Sequence, residues 1–304
     1  MRSSAWIDPL LAQEKEVTHF KLKDVGDIPD ILARCAALGA DTVVVNGGDG
    51  TADLVFAGLL NHKAYDRPPA LALLPAGKTN MTAAGWSLIG TPEKALREIL
   101  EYRRKGRLSD YVIERPVLGV HRGDRPPLYG AFFGAAEVVN GILFCRRHIY
   151  PLNMPNALSH TAAISILFWR SLFTPRNSGH IEISSSTGLR EDGQFFAVAV
   201  TALDQLLLGV QPKPDLSESS TGPLTYLSLR TGAYSTLRTL GSLASRSIGP
   251  GPGRTVRSAE QLTLNFTGTY TLDGELYETN ADETLILDGN KRLLFVQIPK
   301  TPRQ

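Results

Sequence analysis

The sequence predicts an α/β protein in two parts: an open α/β amino-terminal domain over residues 1–110 and a β-sandwich-rich domain over residues 111–304. Three observations predict it. Apolar runs at 42–45 and 70–74 each lead into a glycine-containing turn and then into a segment with helical period. From about Tyr111 onward that strand-then-helix repeat stops, and glycine, proline and extended segments alternate irregularly. The chain has 304 residues, 42% of them hydrophobic, which is enough for two cores.

Each element follows from local pattern. Ile31, Leu32, Cys35 and Leu38 share one face of a helix that Gly39 can end. Residues 42–45 are β-branched throughout and suit a buried parallel strand, followed by helical pattern over 52–60. A second short strand at 70–74 runs into Pro75, Ala76, Gly77 and Lys78. Thr91 and Pro92 then cap and begin a helix with Leu96, Ile99 and Leu100 on its inner side. In an open sheet built this way, ligands sit beyond the carboxyl ends of the strands. In the second part, the alternation of Leu262, Leu264 and Phe266 within 261–269 predicts a half-buried antiparallel strand. Residues 180–184, 195–200 and 293–298 are further strand candidates, and the Gly- and Pro-rich stretch 245–253 reads as loop. The apolar segment AAISILFWRSLF, 162–173, reads as a helix with Trp169 near one end, either core or lining for a lipid or an interface.

Composition removes several classes. Lys plus Arg total 32 and Asp plus Glu 30, so a net charge of +2 leaves no reason to expect nucleic acid as partner. Cys35 and Cys145 are too few for a disulfide framework and suit a reducing cytosol. Charged residues and Pro9 interrupt the amino terminus before any apolar run reaches signal or membrane-spanning length, so a cytoplasmic protein is expected, peripheral at the inner membrane surface at most. The six histidines form no HExxH pattern, and the adjacent Ser159 and His160 do not make a triad without a positioned acid. The basic run 103–105 reads as a solvated helix end.

Two turns carry chemistry. In VVVNGGDGTADL, 43–54, Gly47, Gly48 and Gly50 permit close ligand approach, and amides near Thr51 open a helix and can face phosphate oxygens. Asp49 would repel phosphate directly, so it fits as a metal-linked or proton-handling carboxylate; the plainer reading is a tight turn in which Asp49 caps the helix that follows. In LLPAGKTNMTAAG, 73–85, Gly77 can approach a nucleotide, Lys78 offers a mobile charge, and Thr79 and Asn80 offer hydrogen bonds, although P-loop spacing is absent. A late carboxylate cluster, YTLDGELYE, holds Asp273, Gly274, Glu275 and Glu278. Asp-Gly by itself predicts a hairpin turn; in a chain that stayed extended, Asp273 and Glu275 would point to one side.

Taken together, VVVNGGDGTADLVFAGLL, LALLPAGKTNMTAAG and TYTLDGELYE resemble the diacylglycerol kinase catalytic family, which includes bacterial lipid kinases and the sphingosine and ceramide kinases. The resemblance implies a two-domain lipid-kinase-like fold, an α/β nucleotide-binding domain followed by a β-sandwich-rich lipid-binding domain. It implies ATP and Mg²⁺ as cofactors and transfer of the γ-phosphate to a hydroxyl of a diacylglycerol-like or sphingoid lipid. Carried over residue by residue, it sets Gly47, Gly48, Asp49, Gly50 and Thr51 around the nucleotide phosphates, with Asp49 also organising magnesium. Gly77, Lys78, Thr79 and Asn80 form the neighbouring nucleotide loop, Glu275 is the general base and Asp273 its supporting carboxylate. The expected partners are a lipid substrate, a membrane surface met peripherally and a second copy of the chain in a homodimer. The family usually places aspartate where Met81 stands and begins with an Asn-Pro phosphate loop not seen in MRSSAWIDPLLAQ, so a nucleotide- or lipid-binding descendant without catalysis is the alternative. NAD kinase also resembles the chain at GGDGT, but its GSTAY order is absent from TGAYS, 231–235.

Overall fold

The computed structural model describes residues 6–12, 14, 16–62, 64–77, 80–88, 90–144, 146–147, 180–206, 209–215, 221–231, 246–280 and 282–299. Lys78, Thr79, Cys145, His148, the 162–173 segment with Trp169, Ser159, His160 and most of TGAYS lie outside the described residues. In chain order the elements are α1 (Ile7–Leu11), α2 (Ile28–Ala37), β1 (Thr42–Gly47), α3 (Asp49–His62), β2 (Ala70–Pro75), α4 (Met81–Trp86) and α5 (Pro92–Arg104). They continue with β3 (Val112–Arg122), β4 (Arg125–Gly130), β5 (Phe132–Ala136), α6 (Glu137–Phe144), β6 (His180–Ser185), β7 (Arg190–Thr201), β8 (Gln211–Pro212) and β9 (Leu224–Arg230). The last are β10 (Ser247–Ile248), β11 (Arg254–Ala259), β12 (Gln261–Asn265), β13 (Gly268–Leu272), β14 (Glu275–Thr279) and β15 (Thr284–Val296). The chain forms two compact units, Met1–Arg115 with Arg292–Gln304, and Pro116–Lys291.

The first unit is a small parallel sheet with both faces covered. β1 pairs with β2, and β2 pairs with the end of β15, where Phe295 stands opposite Leu71. All six residues of β2 are buried, as a strand covered on both sides requires. Ala70, Ala72 and Leu74 pack with Ala95, Leu96, Ile99 and Leu100 of α5, while Phe56, Trp86 and Phe295 form an aromatic trio on the side of Leu71. Fully burying each such ring contributes about 1.5–3 kcal/mol. Ser87 links the strands: its hydroxyl accepts from the Leu73 amide at 2.9 Å and donates to the Val296 carbonyl at 2.8 Å. α5 starts as the sequence predicts, with Thr91 Oγ1 accepting from the Lys94 amide.

Some local expectations need correction. The run 42–45 is a parallel strand but not a buried one, since only Val45 is enclosed and Val44 is 38% exposed. Among the described residues β1 pairs with β2 alone. Leu38 is 62% exposed; the inner face of α2 is carried by Ile28 and Leu32 instead. The carboxyl-terminal strand, which the sequence groups with the second part, ends in the first unit because Leu293, Phe295 and Val296 find their burial there.

In the second unit, two sheets share one strand. The order β4, β3, β15, β12, β6 leads to the first half of β7, whose second half lies between β9 and β5 and continues the ladder to β13 and β14. The change falls at a register break between Phe195 and Ala197, next to Gly193 at φ +136°. A bulge with a glycine bends a strand enough to turn from one sheet into another. The predicted alternation holds in β12, where Leu262 and Leu264 are buried, but the strand stops at Asn265 and a new one starts at Gly268, φ +147°. The stretch read as loop at 245–253 contains β10, which pairs with β8 in parallel.

Candidate active site

The first turn lies at the carboxyl ends of two adjacent parallel strands. Gly47 of β1 stands in register with Pro75 of β2, so both following loops leave the sheet side by side. They touch through glycine: a Cβ on Gly77 would lie 2.7 Å from the Gly48 Cα, and a Cβ on Gly48 would lie 3.3 Å from the Gly77 Cα. A Cβ on Gly47 would come within 2.6 Å of the Thr51 side chain. Gly48 and Gly77 are therefore set by close approach of backbone to backbone and Gly47 by the Thr51 side chain, and none of them needs a positive φ. α3 begins at Asp49, so the Asp49 and Gly50 amides are first-turn donors with no acceptor inside the helix.

The Asp49 carboxylate has a partner that local pattern did not reveal. Its Oδ2 accepts from the Met81 amide at 3.2 Å and its Oδ1 from the Thr82 amide at 3.1 Å. It caps α4 rather than the helix it opens. Asn80, the residue before α4, is left-handed at φ 52° and supplies no side-chain cap to that helix. Instead Asn80 closes a ring with Gly77: its Oδ1 accepts from the Gly77 amide at 2.6 Å and its Nδ2 donates to the Gly77 carbonyl at 2.9 Å. Burial pushes the Asp49 carboxyl above its ordinary value, outweighing the amide hydrogen bonds that pull it down. A cavity of about 10 Å³ beneath the turns is lined by Val45, Gly48, Asp49, Leu74, Asn80 and Ala83 and has room for roughly one water. A nucleotide would have to bind over the loops rather than within this void.

The late cluster is a hairpin. Leu272 of β13 pairs with Glu275 of β14, and the two residues between them, Asp273 at φ 48° and Gly274 at φ 96°, are both left-handed. Two positive φ values make the primed turn that Asp-Gly favours. The bend separates the carboxylates by partner. Asp273 Oδ2 accepts from the Ala131 amide at 2.5 Å, while its own amide donates to the Phe132 carbonyl. Glu275 is exposed and meets Arg146, whose Nη2 lies 3.2 Å from Glu275 Oε1 and donates to the Gly274 carbonyl at 2.7 Å. The sequence reading overlooked Arg146; it sits in a pair of arginines far from the motif, with no local signal linking it to Glu275.

The family description "Diacylglycerol kinase catalytic domain" matches residues 3–108, so this segment is similar to that family. A "Probable lipid kinase YegS-like" of Enterobacter sp. (strain 638) is 35% identical over 72 residues, 24% of each chain. One of the same name from Chromohalobacter salexigens is 37% identical over 76 residues, 25% of this chain and 24% of the other. The matched stretch thus spans about a quarter of the length of these curated relatives. A solved structure described as "a putative diacylglycerol kinase from Bacillus anthracis str. Sterne" shares the fold with a TM-score of 0.62 at 15% identity, over 96% of this chain and 90% of that one.

Proposed function

We propose that the chain is an ATP-dependent lipid kinase that transfers the γ-phosphate to a hydroxyl of a diacylglycerol-like or sphingoid lipid. The observation that carries this reading is the contact of two glycine turns, at Gly48 and Gly77, beyond neighbouring parallel strands inside the segment matching the diacylglycerol kinase catalytic domain. The glycines keep the loop surface free of side chains, and the Asp49 and Gly50 amides at the start of α3 suit phosphate oxygens. Asp49 fits magnesium as one carboxylate among phosphate and water ligands, through the lone pairs that the Met81 and Thr82 amides leave. Magnesium, when bound, offsets charge on the transferring oxygens. Asp49 also holds α4 against the first turn, so both loops keep one geometry. Glu275 accepts the proton of the lipid hydroxyl, Arg146 orients its carboxylate, and Asp273 fixes the hairpin that presents it.

An acceptor in a bilayer entails peripheral contact with a membrane surface; among the described residues no helix is long and apolar enough to cross one. A second reading, nucleotide binding without transfer, is favoured by the engagement of both Asp49 oxygens with backbone amides. Purified chain incubated with Mg²⁺, labelled ATP, diacylglycerols, sphingoid bases and NAD separates these readings, with products identified by mass. A phosphorylated lipid is expected. Phosphorylated NAD without lipid product overturns the assignment, and ATP binding without acceptor-dependent turnover selects the second reading.

A further inference from the structure

A second constellation lies on the β6–β7 pair of the second unit. Glu182 and Asp192 stand directly opposite one another across the antiparallel ladder, and His180, two residues before Glu182, projects to the same side. The three side chains are exposed, and one ligand atom from each lies within 4.8 Å of the others. His180 Nε2 is already in contact with Asp192 Oδ1. Like charges directly opposed on paired strands repel, and a cation held between Glu182 and Asp192 would relieve that repulsion. Nearby, Arg230 donates to the Asp192 carbonyl oxygen at 3.3 Å and lies over the Phe195 ring, and Arg190 is opposite Ser184.

We propose that His180, Glu182 and Asp192 bind a divalent cation of the Zn²⁺ or Mn²⁺ type, which ties β6 to β7. The imidazole distinguishes this set from an ordinary acidic patch. One nitrogen and two carboxylates suit a borderline ion, whereas Mg²⁺ is served by oxygen and retained water. With metal–ligand bonds of about 2.0–2.2 Å, the ligand atoms of a tetrahedral site lie about 3.3–3.6 Å apart, so the pairs adjust by up to about an ångström, which rotation of these exposed side chains can supply. Water completes the coordination on the exposed side. His180 and Glu182 pair with β7, and Glu182 also pairs with β12, so the ladder sets the three Cα positions before any ion arrives.

The test is calorimetric titration of untagged, nucleotide-free full chain with ZnCl₂, MnCl₂ and MgCl₂. One saturable site for Zn²⁺ or Mn²⁺ is expected, weakened more than about tenfold in both His180→Ala and Asp192→Asn. Excess Zn²⁺ should raise the melting temperature of the unmodified chain by several degrees and leave that of His180→Ala unchanged. Without metal, Glu182→Gln should melt at the same temperature or slightly higher, because it removes the opposed charge. Absence of saturable binding overturns the site. So does affinity unchanged in His180→Ala, or Mg²⁺ bound as tightly as Zn²⁺.

Discussion

The turn at 47–50 and the hairpin at 273–274 both put a carboxylate beside glycine, yet they use it in opposite ways. Asp49 is half-buried and both its oxygens accept backbone amides from another helix. Glu275 is exposed and meets one guanidinium. The first carboxylate is part of the framework, so removing it should disturb structure and chemistry together. The second is anchored only at the surface, so removing it should affect chemistry and leave the fold alone. Asp273 belongs with the first kind, since its carboxylate is tied to the Ala131 amide beneath the hairpin.

The largest effect expected from this contrast is on turnover. Glu275→Gln should lower lipid phosphorylation by about 10²–10⁴-fold, with stability changed by no more than about 0.5 kcal/mol. Parallel kinetic and melting measurements check it, and a normal rate would remove Glu275 from the role of base. Next, Gly77→Ala pushes a methyl into the Gly48 backbone and should destabilise the first unit by about 1–3 kcal/mol while weakening ATP binding. Denaturant unfolding and nucleotide titration report the two effects; an unperturbed variant would mean that the loops do not need to touch. Asp49→Ala leaves the Met81 and Thr82 amides without their acceptor and should cost about 1–2 kcal/mol, with faster hydrogen exchange at the start of α4.

Acidity sharpens the same comparison. The Asp49 carboxyl is raised from 3.8 by burial, so the folded state holds its proton more tightly than the unfolded chain does. Its favourable contribution is present below the unfolded value and is lost as pH rises through the folded one. The stability gap between Asp49→Asn and the unmodified chain should therefore shift in favour of the variant as pH climbs upward from about 4, then level off. Melting curves of both across acidic pH measure this, and a constant gap would contradict it. The smallest effect belongs to Arg146→Ala, whose surface pair with Glu275 should contribute under about 1 kcal/mol while the rate falls through loss of orientation.

Much of this was legible in order along the chain. β1, α3, β2 and α5 are each marked by period, β-branching or a cap within a few residues, and Asp273-Gly274 is a turn signal complete in two positions. α4 was not legible as a separate helix. It has six residues, its preceding Asn80 gives it no cap, and the residue that does, Asp49, is 32 positions before Met81. The exposure of Val44 and the return of β15 to the first unit were hidden for the same reason: a strand's neighbours are not encoded in its own alternation.

The sequence alone determined where the chain must turn, because glycine, proline and Asp-Gly bias the backbone within one or two residues, whereas the contact that makes Gly48 and Gly77 necessary joins two loops. Only the tertiary structure decided what each carboxylate does. Burial and hydrogen-bond partners come from segments distant in sequence, which is why Asp49 answers to Met81 and Thr82, Asp273 to Ala131, and Glu275 to Arg146.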